Sequence, residues 1–501
     1  MKDLHQGPAA AYHRQTSYER NRLGGHSLDW SNQPLPYKDY PGAATKPLPA
    51  TAKVSQASLW ATDPDAGGGN PTPLLDLEHL AAVCALTHSF TARRTLQGQT
   101  YLYRSVASAG ALYPAELYLA AYHVTGLDPG IYYYDIREFA LKLLRAETPA
   151  AGMKAPVSAV FFVSGIFFRS AWKYRARALR YVLLDAGHLL ENLRRALHAM
   201  GLVFQIDYDF DDAAHNRLLG LDPEREAVYA QVTVWPERRG GTLPYSVPDL
   251  SPERFGPVAP ASGLSARHDV VYAEIQQIQR AGLVFRPAQV PTKEALQVTA
   301  TLPPTWRTLP PHVRQARELA YDEAVVQRRS KRNFVDHALP EQAVLKLLHL
   351  ACDTLRPAEA GPQPSNGGLQ VGFLSGSVTG LAPGMYLLDS TERKIGCWRT
   401  GLLTPPMATV CLDQHWLKNA GLHFLLMVNL EALDRFWGGR GYRYAMLEAG
   451  RLGQSLYLGA TALGLGCCGI GALYDDEARR LLDLTPDSAL VYLVAVGPVR
   501  G

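Results

Sequence analysis

The chain has 501 residues, 47% of them hydrophobic and 19% charged, which is enough apolar material for more than one core. Its formal net charge of +4 is small for that length, and its acids and bases are interspersed. A protein built to grip nucleic acid would carry a strongly basic face, so that class is set aside.

The first residues, MKDLHQGPAAAYHR, lack the apolar segment of a secretion signal. The longest apolar run, APVSAVFFVSGIFF at 155–168, is shorter than the roughly 20 residues that span a bilayer and reads as a buried strand. No membrane association and a cytoplasmic location are expected. Cysteines at 84, 352, 397, 411, 467 and 468 form no CxxC pair, and HExxH is absent, so neither a metal site nor structural disulfides are expected.

In chain order, residues 1–60 read as an extended arm wrapping a core, because LDWSNQPLPYKDYPG holds too many prolines for a regular helix. Residues 61–240 alternate strand and helix patterns. AELYLAAYHV and GIYYYD read as strands, a long amphipathic helix covers about 178–200, and a glycine, a β-rich run, the short helix DDAAHNRLLGL and a last strand follow. Residues 241–315 are rich in proline and glycine and read as a linker, with one helical patch near YAEIQQIQRAG. Residues 316–501 then repeat the earlier order. RALRYVLLDAGHLLENLRRALHAMGL begins at Arg177 and RGYRYAMLEAGRLGQSLYLGATALGL at Arg440, and the spacing of 263 holds without a gap from Tyr181/Tyr444 to Leu221/Leu484. SAGALYP answers SNGGLQV, GIYYYD answers GMYLLD, and VTVWPERR answers VAVGPVRG. One α+β unit of nearly 200 residues therefore occurs twice in tandem.

RRSKRNF, residues 328–334, gathers four cations around a serine. LAYDEAVVQRRSKRNF reads as a helix ending there, with Arg328 and Arg332 on one face. Such a cluster serves an anion, a phosphate above all, or is a solvated basic helix end favoured by the macrodipole.

RxSxRxF, the PS-x-G-G-L stretch and the helix ending ALGLGCCGIGA resemble the nitroreductase-like flavoprotein superfamily. SAGALYPAELY, GIYYYD and WKYRARALRYVLLDAGH resemble its SagB/ThcOx-type dehydrogenases, which oxidise azolines to azoles in ribosomally made peptides with FMN. The resemblance implies two tandem sandwiches, each a central mixed sheet covered by helices, forming an intramolecular pseudo-dimer. It implies that Arg328, with Arg329 beside it, contacts the FMN phosphate, Ser330 the ribityl chain, and Arg332 the N1/O2 edge of the ring. Gly469, Ile470 and Gly471 would offer backbone N–H groups to flavin N5, and Ser108, Ala109 and Gly110 would come from the first repeat, with Ala107 where the family usually has proline. The lid would be Trp172, Lys173 and Tyr174, with Lys173 or Tyr174 as the catalytic base once its pKa is lowered toward neutrality. In the first repeat, Ile206, Asp207 and Tyr208 stand opposite the glycine loop and LWATDPDAGGG (59–69) opposite RRSKRNF, so one FMN per chain is expected.

Three readings follow: azoline oxidation on a peptide or small heterocycle, with a cyclodehydratase complex as partner; a general NAD(P)H-dependent nitro- or quinone reductase; and a flavin-free scaffold subunit. Further oligomerisation of the pseudo-dimer is left open. His188 and Glu191, at i and i+3, read as packing residues rather than metal ligands.

Overall fold

The structure, a computed structural model, describes residues 7–50, 58–60, 75–96, 99–147, 157–236, 250, 252–261, 266–283, 291–311, 318–356 and 365–500. Each repeat builds a seven-stranded sheet, and the strand order is the same in both. In the first, Thr45–Pro47 lies at one edge, followed by Ala140–Ala146, Gly130–Asp135, Ala115–Ala121, Ala159–Ile166, Glu226–Trp235 and Val203–Asp207. In the second the order is Arg307–Thr308, Lys394–Thr400, Gly384–Asp389, Gln370–Ser375, Leu422–Asn429, Ser488–Gly497 and Gly466–Ile470.

Every pairing within these two sheets is antiparallel, where a mixed sheet was expected. The cause is the last strand of each repeat. It inserts between the two strands that the long helix joins, so those two never become neighbours. The inner strands AVFFVSGI and LHFLLMVN are almost wholly buried, which explains their unbroken apolar runs.

The short edge strands Thr45–Pro47 and Arg307–Thr308 lie in the expected arm and linker, yet each pairs with the matching strand of its own repeat's sheet. The repeating unit therefore reaches further upstream than the sequence matches show. The arm also differs from expectation in containing a helix, Pro8–Gln15. Pro8 occupies its first turn, where a missing N–H costs nothing, and the other prolines fall later. The Asp434 carboxylate accepts from the N–H groups of Ala9 (2.8 Å) and Ala10 (3.0 Å), which caps that helix from the second repeat. The helical patch expected in the linker is the helix Ala273–Gly282.

The two long helices, Ala178–Ala199 and Gly439–Ala462, cross at the centre of the molecule. A methyl group on Gly187 would lie 2.2 Å from the Leu447 carbonyl oxygen, and one on Gly450 would lie 2.2 Å from that of Leu184. These four residues are equivalent in pairs, so a pseudo-twofold axis passes between the glycines, and only glycine permits so close a crossing. Charges obey the same symmetry. Asp475 receives Arg177 and Arg180, each at 2.7 Å, while Asp212 receives Arg443 (3.0 Å) and Arg440 (3.3 Å). This exchange of equivalent contacts is the signature of an isologous dimer interface, here closed within one chain.

Candidate functional site

The lid residues end the helix Phe167–Tyr174, and Arg175, in the left-handed region at φ 51°, turns the chain into the long helix. Trp172 is buried and anchors the lid to the arm: its Nε1–H donates to the Asp29 carbonyl (2.8 Å), and its ring lies 5.2 Å from that of Trp30, edge to face. Lys173 and Tyr174 are half-buried. The Ser108–Gly110 loop passes beneath them, close enough that a methyl group on Gly110 would lie 2.8 Å from the Tyr174 hydroxyl and 3.3 Å from Lys173 Nζ. The Tyr174 ring in turn lies 4.3 Å from that of Tyr181. Tyr181 touches the second repeat, since a methyl group on Gly471 would lie 2.8 Å from its ring. The Gly471 carbonyl accepts from Arg177 (3.0 Å) and from the Tyr181 hydroxyl (3.4 Å). Gly110, Tyr174, Tyr181 and Gly471 thus form one continuous wall contributed by both repeats.

The basic cluster is not helical. The helix Tyr321–Gln327 stops at Arg328, and the chain then runs extended, Ser330 pairing beside Cys467 and the Lys331 N–H donating to the Cys467 carbonyl (2.9 Å). Packing against the second sheet outweighs the macrodipole preference, so Arg328 and Arg332 part company. Arg328 is buried, donating Nε–H to the Ser105 carbonyl (2.9 Å) and Nη2–H to those of Arg104 (2.8 Å) and Val106 (3.3 Å). Arg329 is spent on the first repeat's hairpin, with both the hydroxyl and carbonyl of Thr91 at 3.0 Å. Lys331 and Arg332 are exposed, and neither has an ion-pair partner among the described residues. The positive charge of Arg332 acts on Tyr174 and Cys468, opposing the upward push of burial on both.

The remaining expected contacts are partly occupied by protein. The Ser330 hydroxyl lies 3.0 Å from that of Tyr457, and the Gly469 N–H donates to the same Tyr457 oxygen (2.7 Å). A methyl group on Gly469 would collide with the Tyr492 hydroxyl. Ile470 is buried in the sheet edge opposite Leu493. For a planar, anionic cofactor the fit therefore rests on the exposed cation Arg332, which acts on Tyr174, and on Gly110 and Gly471, which bear no side chain and let Tyr174 and Tyr181 lie close against the backbone. Arg328 is directed at the loop carbonyls.

Tyr174 does not meet the condition set for a base. Burial, then the neighbouring Tyr181 and Asp185, push its pKa up, so the phenol keeps its proton at neutral pH. A group missed in the sequence stands behind it. Asp185, on the long helix, is buried and accepts from the Ser108 hydroxyl (2.5 Å) and the Ala109 N–H (3.2 Å). Burial pushes its carboxyl up to about 7, against the lowering effect of those two donors. Its only sequence signal is an acid on the seam of an apolar helix, with Glu448 at the equivalent place. His188 and Glu191 are packing residues: His188 Nδ1 meets Gln454 (2.8 Å), and Glu191 pairs with Arg194, Arg195 and Arg451.

The pseudo-equivalent cleft is filled. Tyr208, opposite Gly471, is buried; its hydroxyl donates to Glu448 (2.5 Å), and its ring stacks on Tyr444 at 6.2 Å. Asp209 accepts from the Tyr444 hydroxyl, and Trp437, in Tyr174's place, is buried against Gly368. Asp207 is half-buried beside Gln205. Of LWATDPDAGGG, residues 61–69 lie outside the described residues. Among the described residues no His, Cys, Asp and Glu cluster could hold a metal, and no helix is long and apolar enough to cross a membrane.

A tandem of two α+β units sharing an isologous interface, with Tyr181 of the first packed on Gly471 of the second, defines a class in which one chain imitates a dimer. The profile of the nitroreductase family matches this chain twice, over residues 70–234 and 389–498, more than half its length, and the chain belongs to that family. A nitroreductase-like protein of Anabaena variabilis of known structure covers 99% of this chain and 100% of its own, at 23% identity and a TM-score of 0.76, so the tandem fold is shared end to end. A nitroreductase-like protein of Methanocaldococcus jannaschii is 28% identical over 170 residues, 33% of this chain and 86% of that one. The trifolitoxin-processing protein TfxB of Rhizobium leguminosarum bv. trifolii is 28% identical over 148 residues, 27% of this chain and 40% of that protein.

Proposed function

We propose that this nitroreductase-family oxidoreductase is an FMN-dependent dehydrogenase that oxidises azolines to azoles in a ribosomally made peptide or a related heterocycle. The observation that carries the reading is the asymmetry of the two clefts. One has Gly471 in its wall, Lys173 and Tyr174 as its lid and the exposed Arg332 acting on Tyr174, and in the other Tyr208 and Trp437 occupy the equivalent positions and are buried. The likeness to a toxin-processing protein supports a peptide-derived substrate.

FMN held in the cleft supplies the hydride acceptor. The chain's own residues do the rest. Arg332 and Lys331 offset the negative charge of an anionic cofactor, by charge-assisted hydrogen bonds at a site where cations are unspent. Gly110 and Gly471 let the backbone approach a planar ring. Lys173 Nζ, above Gly110, takes the substrate proton when its amine is neutral, and Tyr174 keeps its proton and donates a hydrogen bond. The working division is an arm (1–60), a lid-donating unit (61–240), a linker (241–315) and a cofactor-holding unit (316–501). A cyclodehydratase complex is the partner that such a reaction calls for, since it makes azolines.

An absorbance scan of the purified protein, before and after incubation with FMN, tests the first half. A flavin spectrum that is lost in Arg332→Ala/Lys331→Ala is expected, and a colourless protein that takes up no FMN sinks the proposal in favour of a scaffold role. Azoline-to-azole conversion by the yellow protein, abolished in Lys173→Ala, is expected for the second half. Rapid NAD(P)H-driven reduction of nitroaromatics with no azoline turnover would instead select the reductase reading, which the Methanocaldococcus relative favours.

A further inference from the structure

The turn at 108–113 is the most strained part of the cleft wall. Gly110, Ala111 and Tyr113 all have positive φ, at 64°, 55° and 48°. Two of the three are not glycine, and L-residues resist this conformation, so the surrounding structure must hold them there. A buried guanidinium and a buried carboxyl do so from opposite sides. Arg328, from the second repeat, donates to the carbonyl oxygens of Arg104, Ser105 and Val106. Asp185, from the first repeat, receives the Ser108 hydroxyl and the Ala109 N–H, and the Ser108 oxygen itself accepts from the Tyr113 N–H (2.8 Å), which closes the turn.

Neither group has a counter-ion among the described residues. Each instead meets the end of the loop's dipoles that suits its sign, with carbonyl oxygens toward the cation and N–H and O–H groups toward the anion. Of the other titratable groups near Asp185, Arg104 carries a charge, held against His88 (3.0 Å) and the Tyr113 ring (4.3 Å), and the histidines and tyrosines are neutral. His88 shares a small cavity with Asp185, next to Ser108 and Tyr113, and His188 lies one turn along the helix; burial pushes both histidines down. Tyr113, Tyr174 and Tyr492, on the loop, the lid and the last strand, are pushed up by burial. The pseudo-equivalent Glu448 is occupied differently, with Arg451 (2.7 Å) and the Tyr208 hydroxyl as partners.

We propose that Asp185 is a positioning residue that, opposite Arg328, clamps the strained Ser108–Tyr113 turn so that Gly110 is held under Lys173 and Tyr174. The inference rests on the reading of that cleft as the reaction site. Without the clamp the turn relaxes, Gly110 moves away from the lid, and the lid loses its floor.

Amide hydrogen exchange across 105–113, measured with flavin content and turnover in Asp185→Ala, Asp185→Asn and Ser108→Ala, tests it. Asp185→Ala is expected to exchange at least about tenfold faster in this segment, with the rest of the long helix unchanged. Its kcat is expected to fall about tenfold at unchanged KM, as when a group held for reaction loses its placement. Asp185→Asn keeps an oxygen for the Ala109 N–H and is expected to recover most of both effects. Wild-type exchange at 105–113 in Asp185→Ala, or faster exchange spread evenly over the helix, overturns the clamp. If Asp185→Ala does not fold, unaltered exchange in Ser108→Ala overturns it. Exchange needs no flavin, so a protein that never takes up FMN defeats the proposed function and leaves the clamp to be decided by this measurement alone.

Discussion

A buried carboxyl group with no cation beside it, as Asp185 is, must trade charge against solvation. Its carboxyl sits at about 7 in the folded protein because burial penalises the ionised form, whereas in the unfolded chain it ionises near 4. Between those values the folded state holds a proton that the unfolded state has released. Stability contributed at this residue is therefore present at low pH and lost as pH rises through about 7. Asp185→Asn cannot ionise, so its stability relative to wild type should rise by roughly 2–4 kcal/mol from pH 4 to pH 8. Urea midpoints at the two values check this, and the change between them is the quantity to read, since the offset also contains altered hydrogen bonds. A flat difference would mean that Asp185 is ionised throughout. Tyr174 presents the opposite case. Its phenol is held protonated by burial, so Tyr174→Phe should lower turnover by about tenfold at every pH without removing an ionisation from the pH–rate profile. Loss of one limb of that profile would restore Tyr174 as the base.

Among the elements, those with long periodic patterns were legible and those decided by packing were not. The helix Ala178–Ala199 falls within a residue or two of its sequence reading, and Gly439–Ala462 repeats it where the 263-residue spacing requires, because each presents an apolar face over many turns and ends before a glycine with positive φ, Gly201 or Gly464. The segment after Gln327 was misread. Its cations suit a helix end, but the chain is claimed by Cys467, and nothing local in RRSKRNF records that neighbour. Nor does the local sequence record that Arg328, which the resemblance assigns to a phosphate, donates Nε–H and Nη2–H to three carbonyls more than 200 residues upstream. The link from Gly110, Lys173 and Tyr174 through Tyr181 to Gly471 was legible in part, because the duplication puts Tyr208 where the second repeat has Gly471, although Gly110 is matched by Gly367. That contrast supports a direct test. Gly471→Tyr rebuilds in the second cleft what Tyr208 does in the first, and it should abolish FMN uptake while leaving the far-ultraviolet circular dichroism unchanged. A variant that still turns yellow would show that the cofactor does not lie against this wall.

At the scale of the whole molecule, the pseudo-twofold axis makes two residues structurally equivalent whose functional consequences should differ. Asp475 and Asp212 each hold two buried arginines of the opposite repeat, so each anchors the interface between the halves. Removing either leaves buried guanidinium groups uncompensated, a loss of about 3–5 kcal/mol. Asp475→Ala and Asp212→Ala should therefore be destabilised by similar amounts in urea. Their clefts are not equivalent. Arg177 spans from Asp475 to the Gly471 carbonyl and so ties the interface to the wall of the open cleft, whereas Arg440 and Arg443 tie Asp212 to the backbone of Tyr208 and Phe210 in the filled one. Asp475→Ala should bind FMN at least about tenfold more weakly, because Arg177 and with it Gly471 lose their placement, and Asp212→Ala should bind it as wild type does. Flavin titration on both variants, at a urea concentration where each remains folded, separates the two effects. Equal loss of flavin affinity would mean that the halves communicate through the long helices rather than through Arg177, and that closure of one chain into a dimer serves both clefts alike.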